Sequence, residues 1–215
     1  DIRGFGYSEI GEIPYNIDLF ADDLLASIDA LKLEKPIICG LSMGGYIALR
    51  AIEKDQSKIG GLVLCDTRSE GDNDEAKIKR FQTIDKIQKE GLDTYAGDFV
   101  KVVFTEENLG KIPAKVEMIK NIIKDSSPTA IGRTLMAMAA RIDTSGKLNE
   151  IKLPTLILVG EHDKVTPPIA AQSMHEKIEG SQLEIIPDAA HMSNLENPTE
   201  FNKHLLAFLE KVNTK

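Results

Sequence analysis

Residues 36–54, Pro-Ile-Ile-Cys-Gly-Leu-Ser-Met-Gly-Gly-Tyr-Ile-Ala-Leu-Arg-Ala-Ile-Glu-Lys, constrain the fold more than any other stretch of the chain. Pro36 to Leu41 is a short apolar run that suits a strand buried on both faces. Gly40-Leu41-Ser42-Met43-Gly44 then matches G-x-S-x-G, and apolar residues at Tyr46, Ile47, Leu49, Ala51 and Ile52 read as a helix. Strand, sharp turn and helix are the setting that a nucleophile elbow needs, with the serine Oγ lifted above the strand ends. Gly40 and Gly44 are expected to allow close backbone approach there because they lack a Cβ. The five-residue pattern alone arises by chance in roughly one chain in fifteen of this length. Its weight comes from the strand before it and the helix after it.

The rest of the chain arranges itself around this unit. Residues 1–15 are rich in Gly and Pro and read as loop. Asp18 is placed to cap a helix over 19–31, with Phe20, Leu24, Ile28 and Leu31 on one face. A second buried strand spans 59–65, so strand, helix and strand form a parallel, right-handed βαβ unit. Residues 68–147 change character and contain no convincing alternating strand. Four helices are expected there, over 74–90, 92–103, 113–124 and 128–140, the last started by Ser127 before Pro128. Such a segment is long for a single crossover, which favours a helical cap over ordinary crossover helices. The sheet resumes over 153–160 and 182–186, separated by a helix from Pro167 and Pro168 to about 178. Asn197-Pro198 opens a final helix with Phe201, Leu205, Phe208 and Val212 on one face. The organisation is a core in two parts, 1–67 and 148–215, around a helical insertion, 68–147.

Composition narrows the function classes. Hydrophobic content of 42% and charged content of 28% are those of an ordinary globular protein. No run of about 20 apolar residues is present, so no membrane partner is expected. The net charge of −8 argues against a nucleic-acid or anionic-membrane partner. Cys39 and Cys65, the only two cysteines, fall in strands expected to be buried. They read as reduced thiols, which fits a cytoplasmic location. No Cys/His cluster has metal-ligand spacing, and no cofactor is expected.

Gly40-Leu-Ser-Met-Gly-Gly45 resembles the elbow of the α/β-hydrolase superfamily, and the resemblance runs over nearly the whole chain. Asp1-Ile-Arg-Gly-Phe-Gly-Tyr-Ser8 is similar to the family's D-x-R-G-x-G-x-S loop. Gly160-Glu-His-Asp163 is similar to its acid turn, and Ala190-His191 to its histidine loop. The order Ser42, Asp163, His191 is the superfamily order. The resemblance implies an α/β fold, a parallel sheet flanked by helices with an inserted helical cap, and a Ser-His-Asp triad.

A serine hydroxyl is a poor nucleophile at neutral pH and needs a base that a third group orients. Ser42 is the candidate nucleophile. His191 is the candidate base, because the small-residue loop Asp188-Ala-Ala-His191 follows the last strand and returns to the strand ends. His175 and His204 lie within expected surface helices and His162 in the acid turn, so all three read as solvated. Asp163 is the candidate acid. Asp66 is the alternative, since some superfamily members place the acid after the preceding strand. The Met43 N–H, at the start of a helix, is the candidate oxyanion donor. Met192, Met136, Met138 and Arg141 are weaker candidates to line the pocket.

The chain departs from the family at its start. In the family the D-x-R-G loop follows the fourth strand, so the resemblance implies that the first four strands and one helix, roughly 50–60 residues, are expected to have no counterpart in this sequence. The loop that usually supplies a second oxyanion N–H is among them. A core shortened in this way makes strand 36–41 an apolar edge, which a second copy of the chain (a homo-oligomer) or another cover is expected to protect. The first functional reading is a serine hydrolase of small carboxylic esters or lactones. The alternative is a non-catalytic or weakly active ligand-binding member. A nucleotide-binding domain is a poor reading, because the glycines lack G-x-G-x-x-G spacing and no P-loop lysine follows.

Overall fold

The apolar runs become four short parallel strands in a computed structural model that describes residues 1–213. They are β1 (Ile37–Leu41), β2 (Gly61–Cys65), β3 (Thr155–Gly160) and β4 (Gln182–Ile186), adjacent in the order 1-2-3-4. Between and around them run α1 (Ile17–Ala30), α2 (Met43–Asp55), α3 (Asp74–Val103), α4 (Glu106–Lys111), α5 (Pro113–Lys124), α6 (Pro128–Ala139), α7 (Pro168–Lys177), α8 (Ser193–Glu196) and α9 (Pro198–Asn213). The register places Gly40 beside Leu64, Leu64 beside Ile157 and Ile157 beside Leu183. All strands point the same way, so the turns after β1, β3 and β4 open at one end of the sheet.

The core lies on both faces of this sheet. On one face Leu62, Leu64, Ile157 and Val159 pack with Tyr46, Leu49 and Ile52 of α2, Phe20 and Ile28 of α1, and Met174 of α7. On the other, Val63, Cys65, Leu156, Leu158 and Ile186 pack with Phe201 and Phe208 of α9. Every residue of β2 and β3 is buried, as their unbroken apolar runs require.

β1 departs from the expectation of burial on both faces. Cys39 is exposed, while Cys65 beside it is buried, and the two Sγ atoms lie 3.7 Å apart as free thiols. The reason is position. α9 packs mainly on β3 and β4, Ile37 and Leu41 are only partly buried against the same cluster, and among the described residues β1 pairs only with β2. The helix starts also differ in detail. Asn16, not Asp18, caps α1 by accepting the Leu19 N–H at 2.7 Å. Asp18, in the first turn, pairs with Arg50 of α2 instead.

Between β2 and β3 the chain forms a helical insertion, α3–α6. The two helices expected over 74–90 and 92–103 are one bent element, α3, with the bend at Gly91 (φ 80°). α3 packs on α5 and α6 through two apolar clusters. One joins Ile87, Ile131 and Leu135, with Phe5 of the N-terminal loop against it. The other joins Val100, Val103, Phe104 and Val116. Gly4 fits under this insertion only as glycine: its φ is 83°, and a Cβ would meet Tyr15 Oη at 2.5 Å and Ala130 Cβ at 3.0 Å.

Candidate active site

Ser42 sits between β1 and α2 with φ 52° and ψ −113°, a conformation that a non-glycine residue adopts at a cost of about 1–3 kcal/mol. Surrounding contacts hold it there. Its N–H donates to Cys65 O at 2.9 Å, and its carbonyl accepts from Gly45 N–H at 2.9 Å and from Thr67 Oγ1 at 2.7 Å. A Cβ on Gly40 would stand 2.4 Å from the Gly44 backbone, and one on Gly45 would stand 2.4 Å from Thr67 Oγ1. A Cβ on Gly44 would meet nothing within 4 Å. The close approach expected at Gly40 and Gly44 is therefore made at Gly40 and Gly45. Strand and helix can then pack at van der Waals distance with the turn between them.

Two more loops converge on the same end of the sheet. Gly160, the last residue of β3, lies so close to the loop after β4 that a Cβ would stand 2.0 Å from Ala190 O. His162 N–H donates to Ala189 O at 2.8 Å, tying the two loops together. This crossing brings His191 Nδ1 to 2.8 Å from Asp163 Oδ2 and His191 Nε2 to 2.9 Å from Ser42 Oγ. A carboxylate only accepts, so Nδ1 carries the proton and Nε2 is left to accept from the serine hydroxyl. His191 and Asp163 are both buried, and Ser42 is half-buried.

Asp163 is fully engaged. Its Oδ1 accepts from Val165 N–H at 2.7 Å and Thr166 N–H at 3.0 Å. Its Oδ2 accepts from Thr166 Oγ1 at 2.7 Å as well as from His191. Burial alone would push this carboxyl up, but the His191 and Thr166 hydrogen bonds outweigh it and hold it below the usual carboxylate range. Asp66, the alternative acid, does not reach the imidazole. It is fully buried after β2 at φ 44°, accepting from Gly160 N–H at 2.8 Å and from Ser193 Oγ at 2.5 Å. Burial pushes its carboxyl up to about 7, against the pull of those two hydrogen bonds.

The remaining candidates separate cleanly. Met43 is the first residue of α2, so its N–H is one of those without an intrahelical partner at a helix start and forms part of the partial positive end of the dipole. His162 is exposed beside Glu161, His175 pairs with Ser181, and His204 lies near Glu184 and Glu200. Met136 is exposed. Arg141 is buried in an ion pair with Asp72 at 2.5 Å, and its guanidinium lies 4.2 Å from the Tyr46 ring centre. Met192 packs against the apolar cluster around Val103 in the insertion. Among the described residues no group of His, Cys, Asp and Glu side chains could hold a metal ion, and no helix is long and apolar enough to cross a membrane.

Four residues at the site escaped the sequence reading: Thr67, Thr166, Ser193 and Glu196. Thr166 carried a signal, since Asp163-Lys-Val-Thr166 has the spacing of a turn in which a side chain caps the N–H groups two and three residues on. The other three act through long-range contacts that no local pattern encodes.

Comparison with known proteins agrees with this architecture. The chain is 28% identical over 213 residues to 3-oxoadipate enol-lactonase 2 of Acinetobacter baylyi, covering 99% of this chain and 78% of that protein. Its structure superposes on a thermophilic esterase from Thermogutta terrifontis with a TM-score of 0.93 at 33% identity, covering 99% of this chain and 78% of the esterase. It superposes on the enol-lactonase from Burkholderia xenovorans LB400 with a TM-score of 0.89 at 28% identity, covering 98% and 79%. A family profile described as the α/β hydrolase fold matches residues 1–198. With that match over most of its length, the chain belongs to the α/β hydrolase fold family.

Proposed function

We propose that this protein is a serine hydrolase that cleaves small carboxylic esters or lactones through an acyl-enzyme. The observation that carries the reading is the continuous hydrogen-bonded chain from Ser42 Oγ through the His191 ring to Asp163. Ser42 Oγ attacks the substrate carbonyl as its proton passes to His191 Nε2. Asp163 holds the Nδ1–H tautomer and stabilises the imidazolium. His191 then returns the proton to the leaving alkoxide. Water then attacks the acyl-enzyme as His191 Nε2 takes its proton, and that proton passes to Ser42 Oγ as the acyl–oxygen bond breaks and the acid leaves. A lactone follows the same path, except that its leaving oxygen remains part of the acyl chain, so deacylation releases one ring-opened acid.

The tetrahedral oxyanion is assigned to the Met43 N–H at the start of α2, where the helix dipole favours negative charge. Residues 68–147 serve as a cap on the core segments 1–67 and 148–215, and shape the acyl pocket. The substrate class rests on the relatives, one an esterase and two enol-lactonases. No step draws on a metal or cofactor.

The test is covalent labelling of Ser42 by a small fluorophosphonate, read by intact mass and peptide mapping, alongside hydrolysis of p-nitrophenyl acetate and a small lactone. A single adduct at Ser42, absent from Ser42→Ala, together with turnover, is the expected result. A folded protein that binds such ligands without labelling or turnover would replace this reading with a ligand-binding one.

A further inference from the structure

The loop that carries His191 is built into the helical insertion as much as into the sheet. Met192, next to His191, and Leu195 pack into the cluster of Val100, Val103, Phe104 and Val116 at the junction of α3, α4 and α5. Backbone and side-chain bonds reinforce the seam: Met192 N–H donates to Val103 O at 3.1 Å and Lys115 Nζ to Leu195 O at 2.7 Å. At its centre is the carboxylate of Glu196. Oε2 accepts the N–H of Ala190, the residue before His191, at 2.6 Å. Oε1 accepts the N–H of Thr105 at 2.7 Å and Asn108 Nδ2 at 3.0 Å, both from the insertion.

We infer that Glu196 is a positioning residue that couples the helical insertion to His191, so that the placement of the insertion sets the placement of the imidazole against Ser42. The inference rests on the serine-hydrolase reading above. The chemistry of the carboxylate carries it. It offers only acceptors, and here it spends one oxygen on the histidine loop and the other on the insertion. A shift of α4 therefore pulls on the histidine loop at two points, at the Ala190 N–H through this carboxylate and at Asp188 O through Asn108 Nδ2, which donates to it at 2.9 Å. A misplacement of about 1 Å at a reacting group is enough to cost roughly 100-fold in rate. The opposite side of the loop is fixed to the sheet by Ser193 and Asp66, so the imidazole is held between core and insertion.

Glu196→Gln tests this. An amide keeps the shape but offers one acceptor and one donor, so either Ala190 N–H or the Thr105 side faces an NH2 group. The expected result is a fall of at least ten-fold in kcat and in the fluorophosphonate labelling rate of Ser42, with KM changed less than three-fold. The kcat advantage of an ester that reaches the insertion (p-nitrophenyl butyrate) over p-nitrophenyl acetate should also shrink, a ratio that a purely structural role would not move. Asn108→Ala, on the insertion and away from the reacting groups, removes both its bond to Glu196 and its bond to Asp188 O, so it should give a change in the same direction, and the double variant should lose less than the sum of the two. It also decides the matter if Glu196→Gln does not fold. Wild-type labelling rates and wild-type butyrate-to-acetate ratios in the folded variants would overturn the coupling while leaving the serine-hydrolase reading intact. Failure of the wild-type protein itself to label at Ser42 would overturn both.

Discussion

Ser193, two residues beyond His191, donates its hydroxyl to the fully buried carboxylate of Asp66, joining the histidine loop to the end of β2. The same carboxylate accepts Gly160 N–H at the end of β3. Asp66 pins the crossing of the two loops without touching the imidazole. Burial is what raises its carboxyl from the ordinary 3.8 to about 7. Between those values the folded protein holds a proton that the unfolded chain has released. Stability attributable to Asp66 is therefore present below pH 4 and is lost as pH rises to 7, by about 4 kcal/mol at most. Asp66→Asn has no such dependence. Urea unfolding at pH 5 and pH 8 should show the variant gaining stability relative to the wild type at the higher pH. A difference that is the same at both pH values would mean that Asp66 is ionised throughout.

The glycines of the Ser42 turn are not equivalent. Gly40→Ala forces a Cβ to within 2.4 Å of the Gly44 backbone, and should cost more than about 2 kcal/mol in denaturant unfolding together with loss of Ser42 labelling. Gly44→Ala meets open space in the first turn of α2 and should be neutral or stabilising by up to about 1 kcal/mol. Comparable destabilisation by both would mean that the turn constrains Gly44 through its backbone.

Asp163→Asn should leave the protein folded and reduce kcat by about 10⁴-fold, because an amide facing Nδ1 no longer selects the tautomer that lets Nε2 accept from Ser42. Asp66→Asn should cost far less, since Asp66 makes no hydrogen bond to the imidazole. Steady-state kinetics on one ester would compare them. Equal losses would reopen the choice of acid.

Among the described residues no strand pairs with the outer edge of β1. Ser42 N–H points to β2, so by alternation the N–H groups of Ile37, Cys39 and Leu41 point away from it. The chain should self-associate along this edge as concentration rises. Hydrogen exchange at Cys39 and Leu41 should slow in parallel, and Cys39→Lys, at an exposed position, should suppress both. A concentration-independent monomer with fast exchange at these amides would show that the edge stays unpaired.

By itself the sequence determined what local physics controls. The unbroken apolar runs of β2 and β3, short and bounded by turn residues, read as buried strands, and the strand–turn–helix around Ser42 is written within 19 contiguous residues. Gly91 marked a break between two helical patterns, and it is where α3 bends. The tertiary structure decided what depends on loops crossing. Ser42 and His191 are 149 residues apart in the chain, and the choice of Asp163 over Asp66 turns on which carboxylate the crossing at Gly160 and Ala190 aims at Nδ1. The same crossing gave Asp66 its bond to Ser193. Cys39 is apolar in pattern yet exposed, because whether a strand is covered depends on where α9 lies. Glu196 carries no signal in the sequence; only the fold sets three donors from two segments around it. Periodicity and turn chemistry are local and survive in a sequence read alone. A hydrogen bond between distant segments exists only once the sheet has brought their ends together.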